Sequence, residues 1–207
     1  MKNIILTAIA ILFTINTAFT QEKGTFTDTR DGKTYKTVKI GKQVWMAENL
    51  TFKTNEGCWA YENDPENAKK YGYLYNLKAA QTSCPSGWRL PSYEDLTKLA
   101  KQIKKKVRKV SRNKGGSWEN LGTILKSTSG WEANGNGTDD FGFSALPAGS
   151  GATQYFSGKG NEGFWWLSAK SEDDMGIFFS VYSADNSLSS DGIDNYNGFS
   201  VRCIKNN

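Results

Sequence analysis

Three cysteines, Cys58, Cys84 and Cys203, and a set of loop aspartates are the residues of this chain whose types could do covalent or acid–base chemistry. A nucleophilic cysteine needs a thiolate, and a thiolate needs an electropositive neighbour or a base. Arg89 follows Cys84 closely in CPSGWRLPS, but the chain contains no histidine. That removes Ser-His-Asp and Cys-His catalysis, together with the usual zinc sites. What remains for an enzyme is carboxylate chemistry of the glycosidase kind, with two acids flanking the scissile bond. Asp139, Asp140, Asp173, Asp174, Asp191 and Asp194 all fall in turn-rich segments, where aspartate is also an ordinary turn former. No histidine and no matched catalytic motif together favour a protein that binds over one that turns a substrate over.

Two groups of residues could bind. NGNGTDDFG, Asn134 to Gly142, places Asn134, Asn136, Asp139 and Asp140 among glycines, and clustered oxygens of this kind suit a hard cation such as calcium. The spacing is not that of an EF-hand, because the twelfth position from Asn134 is Ala145 where a bidentate Glu is required. An Asx-turn loop that satisfies its own backbone competes with the calcium reading and is favoured over it. No other cofactor is expected. The second group is aromatic: Trp131, Tyr155, Trp165, Trp166, Tyr182 and Tyr196. Rings beside polar turns can stack on sugar faces, against the ordinary alternative of core packing. Trp165 and Trp166 are adjacent, so on a strand they face opposite ways; one is expected in the core and the other at the surface.

Compartment bounds these readings. Residues 1–20, MKNIILTAIAILFTINTAFT, carry one cation, Lys2, an apolar run from Ile4 to Ile15, and small residues before Gln21. This is the pattern of a secretory signal peptide cleaved near Thr20–Gln21. The run falls short of the roughly 20 residues a spanning helix needs, so no membrane span is expected in the mature chain, which is secreted, periplasmic or at the cell surface. The formal charge of +5 becomes +4 without Lys2. Much of the surplus lies in KQIKKKVRKVSRNK, Lys101 to Lys114. In an exported chain that run reads as a solvated face and not as a nucleic-acid site.

The elements that must position these groups follow from pattern. Residues 21–30 are polar and small and read as a flexible leader, with one folded domain over 31–207. Thr34 to Ile40 and Gln43 to Met46 read as a hairpin turning at Gly41-Lys42. Glu56 to Tyr71 reads as loop, with Asn63-Asp64-Pro65 as a turn. Tyr73-Leu74-Tyr75 reads as a short strand, and Asn76 as the cap of a brief helix through Gln81. Ser92 caps a long amphipathic helix. Its apolar stripe runs through Leu96, Leu99, Ala100, Ile103, Val107 and Val110, and Gly115-Gly116 ends it. A shorter helix starting near Ser117 holds Trp118, Leu121, Ile124 and Leu125. From Gly130 onward, FGFSALPAG, GFWWLSAK, GIFFSVYSA and GFSVRCIK read as short strands between glycine-rich loops, the last three as an antiparallel meander. The order predicts a single α+β domain.

YKTVKIGKQVWMAENL, GCWAYENDPENAKKYGYLYN, CPSGWRLPS, NGNGTDDFGFSALPAG and GFSVRCI, in that order, resemble the Fibrobacter succinogenes major paralogous domain (FISUMP) family from about Asp31 to Lys205. The resemblance implies an exported bacterial protein with a fold similar to C-type lectins and to formylglycine-generating enzymes, in a family whose biochemical function is not established. Leu77 and Leu96 stand where members often carry Trp. In lectin-like folds a cysteine at a helix start commonly joins the terminal strand, so the resemblance selects Cys84–Cys203 from the three pairings that three cysteines allow. Cys58 is then left over. The paired redox cysteines of the formylglycine-generating enzymes have no counterpart here. The expected protein is an exported binding or surface-interaction domain for a polysaccharide or a cell-surface protein. A glycan hydrolase using loop carboxylates, or a structural envelope component bridged through Cys58, is the alternative.

Overall fold

The computed structural model describes residues 21–103, 108–112, 115–170 and 175–206. The hairpin is as the alternation implies: β1 (Lys23–Thr27) lies against β2 (Thr34–Ile40), which turns at Gly41 into β3 (Gln43–Met46). Gly41 has φ +61°, a left-handed conformation that glycine adopts without Cβ strain. On β2, Val38 and Ile40 are buried on one face and Tyr35 on the other.

The expected loose leader is instead an edge strand. Lys23 to Thr27 pairs residue by residue with Val38 to Thr34, and Phe26 packs 5.0 Å from the Trp88 ring. Asp28 beyond it is fully buried and accepts from the Arg30 guanidinium at 2.7 Å. Arg30 also donates to the Ser83 carbonyl at 2.8 Å and lies 3.7 Å over Phe52. A polar composition hid this because its pairing partner is supplied by a different segment.

The span read as a loop carries β4 (Cys58–Trp59) and α1 (Pro65–Tyr71). Asn63-Asp64-Pro65 starts that helix: Asp64 is its N-cap, accepting from Glu66 N at 2.9 Å, and Pro65 is its first residue, the position where a missing N–H costs nothing. β5 (Leu74–Tyr75) and α2 (Leu77–Ser83, capped by Asn76) follow as expected. Leu77 and Leu96 are both buried. In CPSGWRLPS, Gly87 at φ +80° completes a turn in which Trp88 N donates to Pro85 O at 2.9 Å. Trp88 and Arg89 then form β6, and Trp88 and Leu90 are buried.

The long helix is shorter than its periodicity implied. α3 covers Tyr93–Gln102 and ends at Ile103. Val107 lies outside the described residues, and Val110 belongs to β7 (Arg108–Arg112), paired with β8 (Gly115–Glu119). The three-and-four spacing of apolar residues fits a helix locally, but strand pairing overrides it. Gly115-Gly116 is therefore part of a strand and not a helix stop. A Cβ on Gly116 would collide with the Tyr93 hydroxyl, so the glycine admits close passage of β8 past α3. Trp118 sits in β8 with its ring 5.7 Å from Tyr93, and the short helix α4 is Leu121–Leu125.

The remaining strands are β9 (Ser150–Ala152), β10 (Tyr155–Ser157), β11 (Glu162–Lys170), β12 (Gly176–Tyr182), β13 (Leu188–Ile193), β14 (Phe199–Ser200) and β15 (Ile204–Lys205). FGFSALPAG forms no strand of its own and contributes bridges at Ala145 and Gly149. The antiparallel meander is β11–β12–β13, so its third strand is Leu188–Ile193 and not GFSVRCIK. That last segment divides between two sheets. β14 runs parallel to β11 in the eight-stranded sheet β4-β5-β14-β11-β12-β13-β8-β7, whereas β15 lies between β3 and β6 in the five-stranded sheet β1-β2-β3-β15-β6. Hence Val201, Arg202 and Cys203 cross between the sheets, and all three are buried. Cys203 is joined to Cys84 with a Cα separation of 5.9 Å. The protein is α+β and strand-rich, with few helices.

The start of α3 is held by charge. Asp95 closes a capping box with Ser92 and accepts from Arg89 Nη1 at 2.6 Å. Burial alone would raise this carboxyl, but the Arg89 guanidinium and the Ser92 N–H and hydroxyl outweigh it and hold the pKa at about 2. The folded value lies below the unfolded one, so the pair stabilises above pH ~4 and is lost as pH falls through about 2. Arg89 is 39% exposed, and allowing for solvent screening the linkage contributes roughly 1–2 kcal/mol. Asp95→Asn should lower urea stability by about that amount at neutral pH, and the gap between mutant and wild type should close in acid. A gap unchanged in acid would refute the electrostatic account.

Candidate functional site

The hairpin of β9 and β10 stands over the end of the eight-stranded sheet. Its residues pair Tyr155 with Ala152 and Phe156 with Gly151, and the turn uses Thr153 at φ +58°. Three contacts fix its position. Gly151 N donates to Gly198 O at 3.1 Å, Asn63 Nδ2 donates to Thr153 O at 3.0 Å, and the Tyr61 and Phe156 rings lie 5.2 Å apart. Gly198 has no room for a Cβ, which would strike the Gly151 carbonyl oxygen. The loop that leads into β14 can approach the hairpin only because this residue is glycine.

Between the hairpin, the loop before β14 and the edge strand β4 lies a cleft of about 890 Å³. Residues 150–157 line one side, and Trp59, Asn76, Tyr196 and Asn197 the other. Tyr155 is 84% exposed and Tyr196 is 85% exposed. Trp59 is half-buried and Gln154 is exposed. Asn76 Oδ1 caps α2 by accepting from Ala79 N, and Asn197 Nδ2 donates to Asp194 O at 3.2 Å. Apart from the two tyrosines, none of the described residues lining the cleft carries an ionisable side chain.

Of the six aromatic residues singled out by sequence, the structure brings Tyr155 and Tyr196 together in this cleft and places the other four elsewhere. Trp165 and Trp166 do face opposite sides of β11, but both sides are covered and both rings are fully buried. Trp165 stacks on Phe179 at 5.0 Å and donates to Asn49 Oδ1 at 2.8 Å. Trp166 packs 4.6 Å from Phe199 and donates to the Tyr75 carbonyl at 2.6 Å. The expectation of one exposed tryptophan fails because both faces of β11 are covered: Trp165 joins a core with Val38, Trp45 and Leu99, and Trp166 joins another with Leu77, Ala80, Tyr35 and Met46. Trp131 is also buried, with its indole N–H shared between Ser127 Oγ and Ala145 O. Tyr182 sits at the edge of exposure with its ring 5.8 Å from Phe164.

The Asn134–Gly142 loop uses its own oxygens. Asn136 Oδ1 accepts from Trp131 N at 3.0 Å, and Asp139 accepts from both the N–H and the hydroxyl of Ser144 at 2.7 and 2.6 Å. Gly137, Thr138 and Asp140 donate their backbone N–H groups to the α4 region, and Asn134 and Asp139 adopt positive φ. Asn134 and Asp140 lie in the same loop with exposed side chains. Among the described residues no three of the metal-binding types Cys, Asp and Glu gather. Of the acids considered for hydrolysis, Asp173 and Asp174 lie outside the described residues, Asp191 accepts from Gly192 N, and neither Asp191 nor Asp194 lines the cleft.

Two features escaped the sequence reading. Lys126 is buried, with Nζ held by the carbonyls of Tyr182, Asp185 and Ser183 at 3.0, 3.1 and 3.4 Å and 5.3 Å from the Trp131 ring. Burial pushes its pKa down, with Asp185 opposing. Arg202 is fully buried behind the cleft-bearing sheet. A single lysine after Ile124-Leu125 and a single arginine between Val201 and Cys203 carry no local signal that marks them as buried. Cys58 is free and half-buried, with Sγ 3.6 Å from Thr54 O. No described helix is long and apolar enough to cross a membrane.

A family model described as the Fibrobacter succinogenes major domain matches residues 38–205. No curated protein and no solved structure matches the chain.

Proposed function

The chain belongs to the Fibrobacter succinogenes major domain family, and from that premise we propose that it is an exported, non-enzymatic binding domain of lectin-like fold whose cleft takes a carbohydrate. The observation that carries the proposal is the pair of exposed rings, Tyr155 and Tyr196, on one cleft. Both rings stand in water on the lining of one cleft, and phenol rings with amides nearby offer a flat apolar face and a polar tip to a sugar. The bridge from the end of α2 to the terminal strands supports the lectin-like fold, and the segment 1–20 supports export. A hydrolase would need two carboxylates beside the substrate, and among the described residues no Asp or Glu lines this cleft. An envelope component bridged through Cys58 would need that thiol freely accessible, whereas it is half-buried.

A glycan panel probed with the mature protein should return saturable binding. Tyr155→Ala and Tyr196→Ala should each weaken it about tenfold, close to 1.4 kcal/mol. Both side chains are exposed, so the variants fold as the parent does. Absence of saturable binding across the panel, or full affinity in the double variant, would defeat the proposal.

A further inference from the structure

We infer that the cleft selects an uncharged carbohydrate chain and holds it without a metal ion; this rests on the binding reading above. The chain has 26 Lys and Arg residues, yet the cleft is lined by amides, hydroxyls, glycine and aromatic rings. An acidic sugar entering such a cleft would leave water without meeting a cation, and a desolvated carboxylate or sulfate needs a guanidinium or ammonium to replace its hydration. A cationic sugar would equally need a carboxylate. Neutral hydroxyls face no such penalty. Gln154, Asn197, Ser150 and Ser157 carry groups that both donate and accept, which matches the dual character of a sugar hydroxyl. Tyr155 and Tyr196 supply the apolar faces on which C–H surfaces of a pyranose can lie. At about 890 Å³ the cleft is near the upper end of the roughly 300–1,000 Å³ common for ligand sites, so a chain of sugars fits it better than one ring. Metal-bridged sugar recognition draws on carboxylates at the rim, and the described residues of the lining offer none.

The test is calorimetric titration of the mature protein with neutral and uronic-acid oligosaccharides of matched length, at low and high salt, with and without EDTA. Each titration is repeated with the Tyr155→Ala/Tyr196→Ala variant. The expected result is a neutral oligosaccharide whose affinity falls at least tenfold in the variant and changes by less than about twofold with salt, because no ion pair is present to be screened, and with EDTA. Tyrosine-dependent binding confined to acidic oligosaccharides, or abolished by EDTA, would overturn the inference and leave the cleft reading standing. No tyrosine-dependent binding to any glycan would overturn both.

Discussion

Arg202→Met is expected to destabilise the protein by about 3 kcal/mol at neutral pH, measured by urea unfolding, although it touches neither the cleft nor the surface. The guanidinium is fully buried, and among the described residues no carboxylate pairs with it directly. Its donors instead serve oxygens of two segments: Nε and Nη2 to Asn49 Oδ1 at 3.2 and 2.6 Å, Nη2 to Ser144 O at 3.2 Å, and Nη1 to Phe143 O. Its plane lies 4.5 Å from the Phe143 ring centre. Burial pushes its pKa down to about 9, opposed by Asp139 and Glu48. At neutral pH the group is charged in both the folded and unfolded chain, so the whole desolvation cost is present and the hydrogen bonds must outweigh it.

Methionine would relieve that desolvation and keep most of the volume. It would also leave the Phe143 and Ser144 carbonyls without these donors, and each buried acceptor left unsatisfied costs about 1–3 kcal/mol. Asn49 would lose two of the bonds that fix it, and it is the hub that also accepts from Trp165 and donates to Tyr71 O and Ser200 Oγ. Arg202→Lys keeps the charge but not the fork, so it should recover less than half of the loss. A cost below about 1 kcal/mol for Arg202→Met would show that desolvation and hydrogen bonding cancel at this site, contrary to the expectation.

What the sequence made legible divides along the line between local and non-local interactions. The hairpin β2–β3 was readable to the residue because β-branched alternation and a glycine turn act within a few positions. The Ser92 cap was readable for the same reason. The end of α3 was not, because apolar spacing through Val110 suits a helix and only pairing with β8 decides for a strand. Trp165 and Trp166 oppose each other as strand geometry requires, yet exposure depends on what covers each face, and the covering residues of β2, β3, α2 and α3 come from distant parts of the chain. Likewise nothing near Tyr155 or Tyr196 announces that they share a cleft. They do so because Gly198 can pass beside Gly151. Polar turns flank Tyr155, Tyr196 and Trp131 alike, yet Trp131 is buried, so polar neighbours in sequence do not by themselves report exposure.

The second large effect concerns the bridge. Cys84 and Cys203 are separated by 119 residues, and closing a loop of that size restricts the unfolded chain by up to about 4–5 kcal/mol in the chain-entropy model. The Cys84→Ser/Cys203→Ser variant should therefore lose about 3–5 kcal/mol against urea, a large share of the roughly 5–15 kcal/mol typical of a folded domain. The position of Cys203 adds a native-state reason. It lies between β14 and β15, on the segment that joins the two sheets, and its carbonyl accepts from Met46 N at 3.0 Å. Cys84 ends α2 and precedes the turn into β6, which pairs with β15. The bridge thus ties the two sides of the same strand pairing, and without it the terminal segment keeps only its short ladders, its buried side chains and the Arg202 hydrogen bonds. Because Cys58 is a third thiol, the comparison should be made in a Cys58→Ser background to prevent exchange. A loss under about 1 kcal/mol would mean that the reduced unfolded chain keeps its ends together, against the chain-entropy model. A loss near the full value would make the stability of the fold depend on an oxidising environment, in which such a bridge forms and persists.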